Sequence, residues 1–365
     1  MIGRMVISSI AHRPVRTGLC ILAIAVEVTM ILLIVGLADG LLEESQGRTR
    51  SVGADILIRP SSSGVAMGLT TADIPEGIAR VLVEKNPEIA MAVGTTVYSG
   101  GDLQTITGVD WERFTEMCGG VRYAEGGPMT GPGDAIVDEV YARYKKVAAG
   151  DTLKLLNREF RVAGVVEPGK MSRVFIPIET MQELMGWQGN YSQVFVRLRD
   201  PKQTAQVVEK IQALLPGYPV YPIEEFLTLA AADIQEVSRQ FSNAIVGIAV
   251  IIGFIVVLLS MYTSVIERTR EIGILKSLGA SKGYIVGILL REALLLCAAG
   301  ILSGFGLSYL VRSIVIGRFP LLSVLISTDW LVISAVLAVI GATLGSLYPA
   351  IRAARQDTIQ SLTYD

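Results

Sequence analysis

Four long apolar runs constrain this chain more than any other feature. Residues 19–38 carry a single charge, Glu27; residues 244–266, 293–311 and 330–351 carry none, and the third run extends toward Gly283 past Arg291 and Glu292. A bilayer core takes about 20 apolar residues as a helix, since only internally bonded backbone is tolerated in hydrocarbon. Each run therefore reads as a membrane span. The composition agrees: 51% of residues are hydrophobic, 18% are charged and the mean hydropathy is +0.51, whereas an ordinary soluble domain is about a quarter charged. The composition argues against a fully cytosolic enzyme and excludes a disordered chain.

The first run could be taken for a secretory signal, because Gly36-Leu37-Ala38 resembles a small-x-small cleavage site. An h-region is about 7 to 15 residues long, so the longer run is read as a retained anchor. Orientation follows from Lys and Arg in short segments near span ends. Arg4, Arg13 and Arg16 precede the first span; Arg268, Arg270, Lys276 and Lys282 follow the second; Arg352 and Arg355 follow the fourth, against Arg312 and Arg318 between the third and fourth. Both termini are thus expected in the cytoplasm of a multi-pass protein of the inner (plasma) membrane.

The expected fold is four transmembrane α-helices plus a large extracytoplasmic α+β domain inserted between spans 1 and 2. The expected divisions are a cytosolic N-terminal amphipathic segment at 1–17, span 1 at 18–40 and the extracytoplasmic core domain at 41–240. Span 2 follows at 243–266, a cytosolic helix and loop at 267–282, span 3 at 283–312, an external loop at 313–329, span 4 at 330–351 and a cytosolic tail at 352–365. Within the middle, residues 54–59, 102–109, 152–156, 160–166 and 194–198 are short, rich in β-branched or alternating residues, and bounded by Gly, Pro and Asp. These predict strands. Residues 73–84, 135–146, 178–185 and 202–215 have helical spacing with polar starts. The Gly/Pro-rich stretch 126–133 reads as a surface loop or an internal hinge.

Several chemistries drop out early. Cys20 and Cys297 lie in apolar runs and Cys118 is the only cysteine of the middle domain, so no disulfide framework forms within that domain. His12 is the sole histidine, which leaves no Ser-His-Asp triad and no His-rich metal site. Gly164 to Lys170 has the spacing GxxxxGK of a phosphate loop, but Met171 stands where a Mg²⁺-binding Ser or Thr is required, and 173–178 continues as a strand. A turn between strands is the better reading.

The segment 267–282 is too polar to span and too short to fold alone. Ile272, Leu275 and Leu278 recur at i, i+3 and i+6, with Glu267, Arg268, Arg270, Glu271 and Lys276 on the remaining surface. Gly279 is suited to stop a helix and Ser281 to cap the next. A helix lying on lipid headgroups would show the same apolar stripe; its mixed charge leaves docking to a partner helix groove equally open.

The run Val265-Ile-Glu-Arg-Thr-Arg-Glu-Ile-Gly-Ile-Leu-Lys-Ser-Leu-Gly-Ala-Ser281, followed by Glu292 in an apolar helix, resembles the cytosolic signature of the FtsX/MacB-like family of ABC transporter permeases. The end, Tyr348-Pro-Ala-Ile-Arg-Ala-Ala-Arg355 through Leu362, is similar to that family's closing motif. Gly150-Asp-Thr-Leu-Lys-Leu and Phe160-Arg-Val-Ala-Gly-Val resemble its MacB-like periplasmic core domain, and residues 13–40 resemble its first span. The resemblance implies that Glu267, Arg268, Arg270, Glu271, Ile272, Leu275 and Leu278 form a coupling helix seated on an ABC ATPase subunit. It implies a non-enzymatic permease with no cofactor of its own, ATP and Mg²⁺ being held by that separate ATPase, since the sequence has no Walker motif. A second copy of the chain or a paralogous permease is the expected partner in the membrane, with a periplasmic adaptor protein and an outer-membrane channel as further candidates and no nucleic acid. The implied function is coupling of ATP hydrolysis to movement of the extracytoplasmic domain, by mechanotransmission, for efflux or for lipid or lipoprotein extraction. The alternative is an FtsX-like signal relay that activates an envelope enzyme without transport.

Within the spans, Gly300-x-x-x-Gly304 and Gly341-x-x-x-Gly345 permit close helix approach, either across a dimer seam or inside the chain. Glu27 lies mid-span, where an ionised carboxylate is costly, and helix–helix hydrogen bonding is its default reading. Glu27 also departs from the small or apolar residues usual there in the family. Arg291 and Glu292 are expected near the inner interface, where long side chains snorkel.

Overall fold

The computed structural model describes residues 14–62, 71–100 and 105–355, except the side chains of residues 233, 234 and 237. Arg4, His12, Arg13, the start of the strand expected from Asp102 and the closing motif beyond Arg355 lie outside the described residues. The chain forms two compact units: one of residues 1–40, 238–318 and 324–365, the other of residues 41–237 and 319–323.

The first unit is helical. It draws on α1 (Pro14–Arg50), α7 (Ile223–Glu267), α8 (Thr269–Ser277), α9 (Lys282–Arg318) and α10 (Thr328–Arg355). Pro14–Arg50, Ser238–Glu267, Lys282–Arg318 and Thr328–Arg355 are each long and apolar enough to cross a membrane. Their shared core is built from Ile24, Val28 and Leu32 of α1, Val257, Met261 and Val265 of α7, Leu289, Ala293 and Cys297 of α9, and Ala338, Ala342 and Ala350 of α10. Small residues carry α10's side of that core. Many of the outward-facing Leu, Ile and Val side chains are exposed, as hydrocarbon rather than water would require.

The second unit is sheet-rich. Twelve strands are described: β1 (Ile56–Ile58), β2 (Ile74–Pro75), β3 (Ile89–Ser99), β4 (Thr105–Val109), β5 (Tyr123–Gly126), β6 (Asp134–Asp138), β7 (Thr152–Leu155), β8 (Arg158–Val166), β9 (Val174–Pro177), β10 (Asn190–Tyr191), β11 (Gln193–Leu198) and β12 (Val220–Pro222). Ten of them make one mixed sheet in the order β12-β1-β11-β3-β4-β9-β6-β8-β5, with β7 paired to β8; β10 and β2 form a separate pair. The β4–β9 and β6–β8 pairs are parallel and the others antiparallel. The connecting helices are α2 (Gly77–Lys85), α3 (Trp111–Met117), α4 (Glu139–Lys145), α5 (Ile178–Met185) and α6 (Thr204–Leu214). The molecule is thus a four-helix membrane protein with an α+β domain between its first and second long apolar helices.

Three apolar clusters hold that domain. At the β1 end, Ile56, Ile58 and Val196 pack under Leu82 of α2 and Ile211 of α6. In the middle, Trp111 and Phe114 of α3 meet Phe175 and Phe195. The Trp111 and Phe175 rings meet at 61° with centroids 5.4 Å apart, and Trp111 Nε1 donates to the Tyr123 hydroxyl at 2.7 Å. At the β8 end, Tyr141, Phe160 and Met181 close the core.

Two of the expected helices are corrected. Residues 135–146 are not one helix: β6 ends at Asp138, whose carboxylate accepts from Tyr141 N at 2.7 Å and so caps α4. All five β6 residues are buried, so the strand shows no alternation to mark it. Residues 73–84 split likewise into β2 and α2, broken at Pro75. The long central strand β3 was not expected at all, being apolar along most of its length. Gly94 within it lets the Tyr191 ring lie on bare backbone, where a Cβ would come within 2.0 Å of Tyr191 Cδ2. The GxxxxGK stretch begins inside β8, which ends at Val166, and its remainder turns toward β9, with Gly169 at φ +105°.

The domain also contains a half-buried ionic cluster around buried Asp138. Arg48 pairs with Glu44 at 2.9 Å and with Asp138 at 3.3 Å, Arg173 also pairs with Glu44, and Arg173 donates to the Leu321 carbonyl at 3.3 Å. Burial, then the nearby Arg48, holds the Arg173 guanidinium below the usual arginine range.

Candidate functional site

The short helix α8 is the one structured element between the second and third long helices, and its limits are local. Arg268 takes φ −111°, which breaks α7 after Glu267. At the other end Gly279 adopts φ +90°, its N–H donates to Lys276 O at 3.0 Å and Ala280 N donates to Leu275 O at 3.0 Å. Glycine reaches that left-handed conformation without the Cβ clash other residues suffer. Ser281 Oγ then accepts from Tyr284 N at 3.2 Å and caps α9.

The apolar residues of α8 point two ways. Ile272 is buried and belongs to the helical unit's own core, and Leu275 is half-buried. Leu278 is 80% exposed and Ile274 is 45% exposed. The expected common face of Ile272, Leu275 and Leu278 therefore does not exist as an outward surface. The outward stripe is Arg270, Ile274, Ser277 and Leu278, flanked by exposed Glu271. Ile274 was missed; its i, i+4 spacing to Leu278 was the available signal.

The remaining charges are engaged. Arg268 donates to Glu292 at 3.2 Å, Arg16 of α1 pairs with Glu267 at 3.2 Å and lies 3.6 Å from Glu292. Glu292 is 1% exposed, and the two guanidiniums supply the partners that a buried carboxylate requires. Glu267 and Arg268 thus fasten α8 to α1 and α9, while Arg270 and Glu271 stay on the surface. Among the described residues no group of three or more His, Cys, Asp or Glu is placed to hold a metal ion.

The glycine pairs are used inside the chain. A Cβ on Gly300 would stand 2.7 Å from Ile24 Cβ, and one on Gly304 would stand 2.9 Å from Val28 Cβ and 3.0 Å from Ala25 O, so both seat α9 against α1. Thr29 Oγ1 reaches across the same contact to Gly304 O at 3.1 Å. Gly345 seats α10 against α7, its Cβ position being 2.8 Å from Phe254 O; Gly341 makes only ordinary contact there, 3.9 Å from Val250 O. Glu27, also buried, faces α7 at Gly253.

Two family models match this chain. Residues 17–214 match a family model described as a MacB-like periplasmic core domain, and residues 243–358 match one described as an FtsX-like permease C-terminal. The macrolide export ATP-binding/permease protein MacB of Shewanella sp. (strain W3-18-1) is 25% identical over 397 residues, covering 98% of this chain and 60% of its own length. The uncharacterized ABC transporter permease YknZ of Bacillus subtilis (strain 168) is 31% identical over 207 residues, which is 53% of this chain and 50% of the relative. The chain therefore spans 50% to 60% of the length of these curated relatives. The solved periplasmic region of MacB from Actinobacillus actinomycetemcomitans aligns with 48% of this chain and 92% of its own, at a TM-score of 0.37 and 16% identity. With a matching family model over more than half its length, the chain belongs to the ABC transporter permeases that combine a MacB-like periplasmic core domain with an FtsX-like permease C-terminal.

Proposed function

We propose that this chain is the permease subunit through which an ABC ATPase drives movement of an extracytoplasmic domain, for efflux or for extraction of lipids or lipoproteins. The observation that carries this reading is the outward stripe of α8. Ile274 and Leu278 offer an apolar contact of one helical turn, and Arg270 and Glu271 beside them offer charges of both signs to fix register. A helix-in-groove joint needs both features. The Arg16–Glu267 and Arg268–Glu292 pairs tie the joint to two membrane helices, so displacement of α8 loads α1 and α9 directly. ATP and Mg²⁺ sit on the ATPase, whose closure is felt here only if α8 is held differently in its two states.

The test is co-purification with the ATPase and ATPase turnover in the reconstituted complex. Ile274→Asp combined with Leu278→Asp is expected to leave a folded, inserted permease that no longer retains the ATPase. Ile272→Asp is expected to lower the yield of folded protein instead, because that side chain lies in the helical core. Retention of the ATPase at wild-type level by the Ile274/Leu278 double variant would overturn the joint.

A further inference from the structure

A second feature of the helical unit points to a ligand. Glu27 is 6% exposed, and its Oε1 has no hydrogen-bond partner. Opposite it stands Gly253 of α7, and a Cβ there would lie 1.8 Å from Glu27 Oε2. The carboxylate thus occupies room that exists only because α7 has no side chain at that position. It borders a crevice of about 490 Å³ between α1 and α7, whose other walls, Leu22, Val26 and Met30 on one side and Ala249, Ile252 and Val256 on the other, are all apolar. Leu22, Val26 and Ile252 are each about half exposed, at 55%, 49% and 52%, so the crevice is open on the outer surface of the helical unit.

A carboxylate buried in such surroundings is costly unless something pairs with it. The apolar walls ask for a hydrocarbon body, and the single unpaired carboxylate asks for one cation. We propose that this crevice binds lipophilic amines: molecules with an apolar chain or ring system and one protonated nitrogen, entering from the membrane and placing the ammonium against Glu27. Binding is independent of the coupling joint on α8; describing the ligand as cargo rests on the proposed permease function.

Saturable binding of radiolabelled dodecylamine to the full-length detergent-solubilised chain tests this, with uncharged N-acetyldodecylamine as the control. Wild-type protein is expected to prefer the amine at least tenfold. Glu27→Gln is expected to abolish that preference by weakening the amine alone; Ala23 also lines the crevice, and Ala23→Trp, which fills it, is expected to weaken both probes. The Ile274/Leu278 double variant is expected to bind as wild type does, so failure of coupling and failure of this site give different results. Should Glu27→Gln fail to fold, Ala23→Trp and the wild-type preference still decide. An unchanged preference in Glu27→Gln, an unaltered affinity in Ala23→Trp, or equal affinity of the wild type for both probes would overturn the proposal.

Discussion

Asp134 shows how one side chain can order a loop that looks unstructured in sequence. Its carboxylate accepts from Thr130 N at 2.9 Å, Gly131 N at 3.0 Å and Thr130 Oγ1 at 3.0 Å, and pairs with Arg161 at 2.8 Å. Desolvation pushes its pKa up, but these hydrogen bonds together outweigh it and hold the group below the usual aspartate range. A carboxyl depressed on folding adds stability above its unfolded pKa of about 3.9, and that stability is lost as pH falls through the lower folded value. Asp134→Asn is therefore expected to destabilise the domain by about 2 kcal/mol at neutral pH, the order expected for losing charge-assisted bonds accepted by a buried carboxylate. The difference from wild type should shrink as pH drops below about 4. Thermal unfolding of the full chain in detergent, followed by tryptophan fluorescence, checks both; a pH-independent difference would show that charge plays no part. The Gly/Pro-rich stretch 126–133 is accordingly a pinned turn, and Gly126, at φ +72° with its Cβ position 2.2 Å from Ala163 O, fits against β8 as no other residue would.

At the scale of elements, contact distance decides which glycines matter. Gly304→Leu would drive a side chain into Val28 and the α1 backbone, whereas Gly341→Ala meets nothing closer than 3.9 Å. Overpacking costs about 1 to 3 kcal/mol where neighbours cannot yield, and backbone cannot. Gly304→Leu is expected to reduce the monodisperse fraction on size-exclusion chromatography sharply and Gly341→Ala to leave it unchanged; equal behaviour of the two would refute the α1–α9 contact. This contrast also marks what the sequence could convey. The four long helices were legible because each apolar run is long and nearly free of charge, and the end of α8 and the start of α9 were legible because Gly279 and Ser281 act through their own backbone and side chain; the break at Arg268 that begins α8 was not. The strands β3 and β6 were not, since burial on both faces removes the alternation that announces a strand. The face of α8 was not legible either: at 3.6 residues per turn Ile272, Ile274, Leu275 and Leu278 spread over an arc of roughly 160°, and only the packing of the other helices of the unit determines which part of that arc is covered. Gly253 could not be matched to Glu27, because their pairing is set by how two distant stretches of chain meet.

For the whole molecule, the proposed function requires the α+β domain and α8 to lie on opposite sides of the membrane, as the distribution of Lys and Arg implies. Single cysteines at Arg122 and Lys282 test that arrangement. Arg122 has a side chain 84% exposed on the α+β domain, and Lys282 is exposed at the start of α9 beside α8; Asp134, at 4% exposure, would be a poor probe. The native thiols interfere little, since Cys20 and Cys297 are buried, and burial pushes the Cys118 thiol up to about 11 against the pull of Lys170 and Arg197. At neutral pH that thiol is almost wholly protonated, and the thiolate is the reactive form. A membrane-impermeant maleimide added to cells whose outer barrier admits it is expected to label Arg122→Cys at once and Lys282→Cys only after the inner membrane is opened. Labelling of Lys282→Cys in sealed cells would put α8 on the side without ATP, and no arrangement of its outward stripe could then couple this permease to hydrolysis.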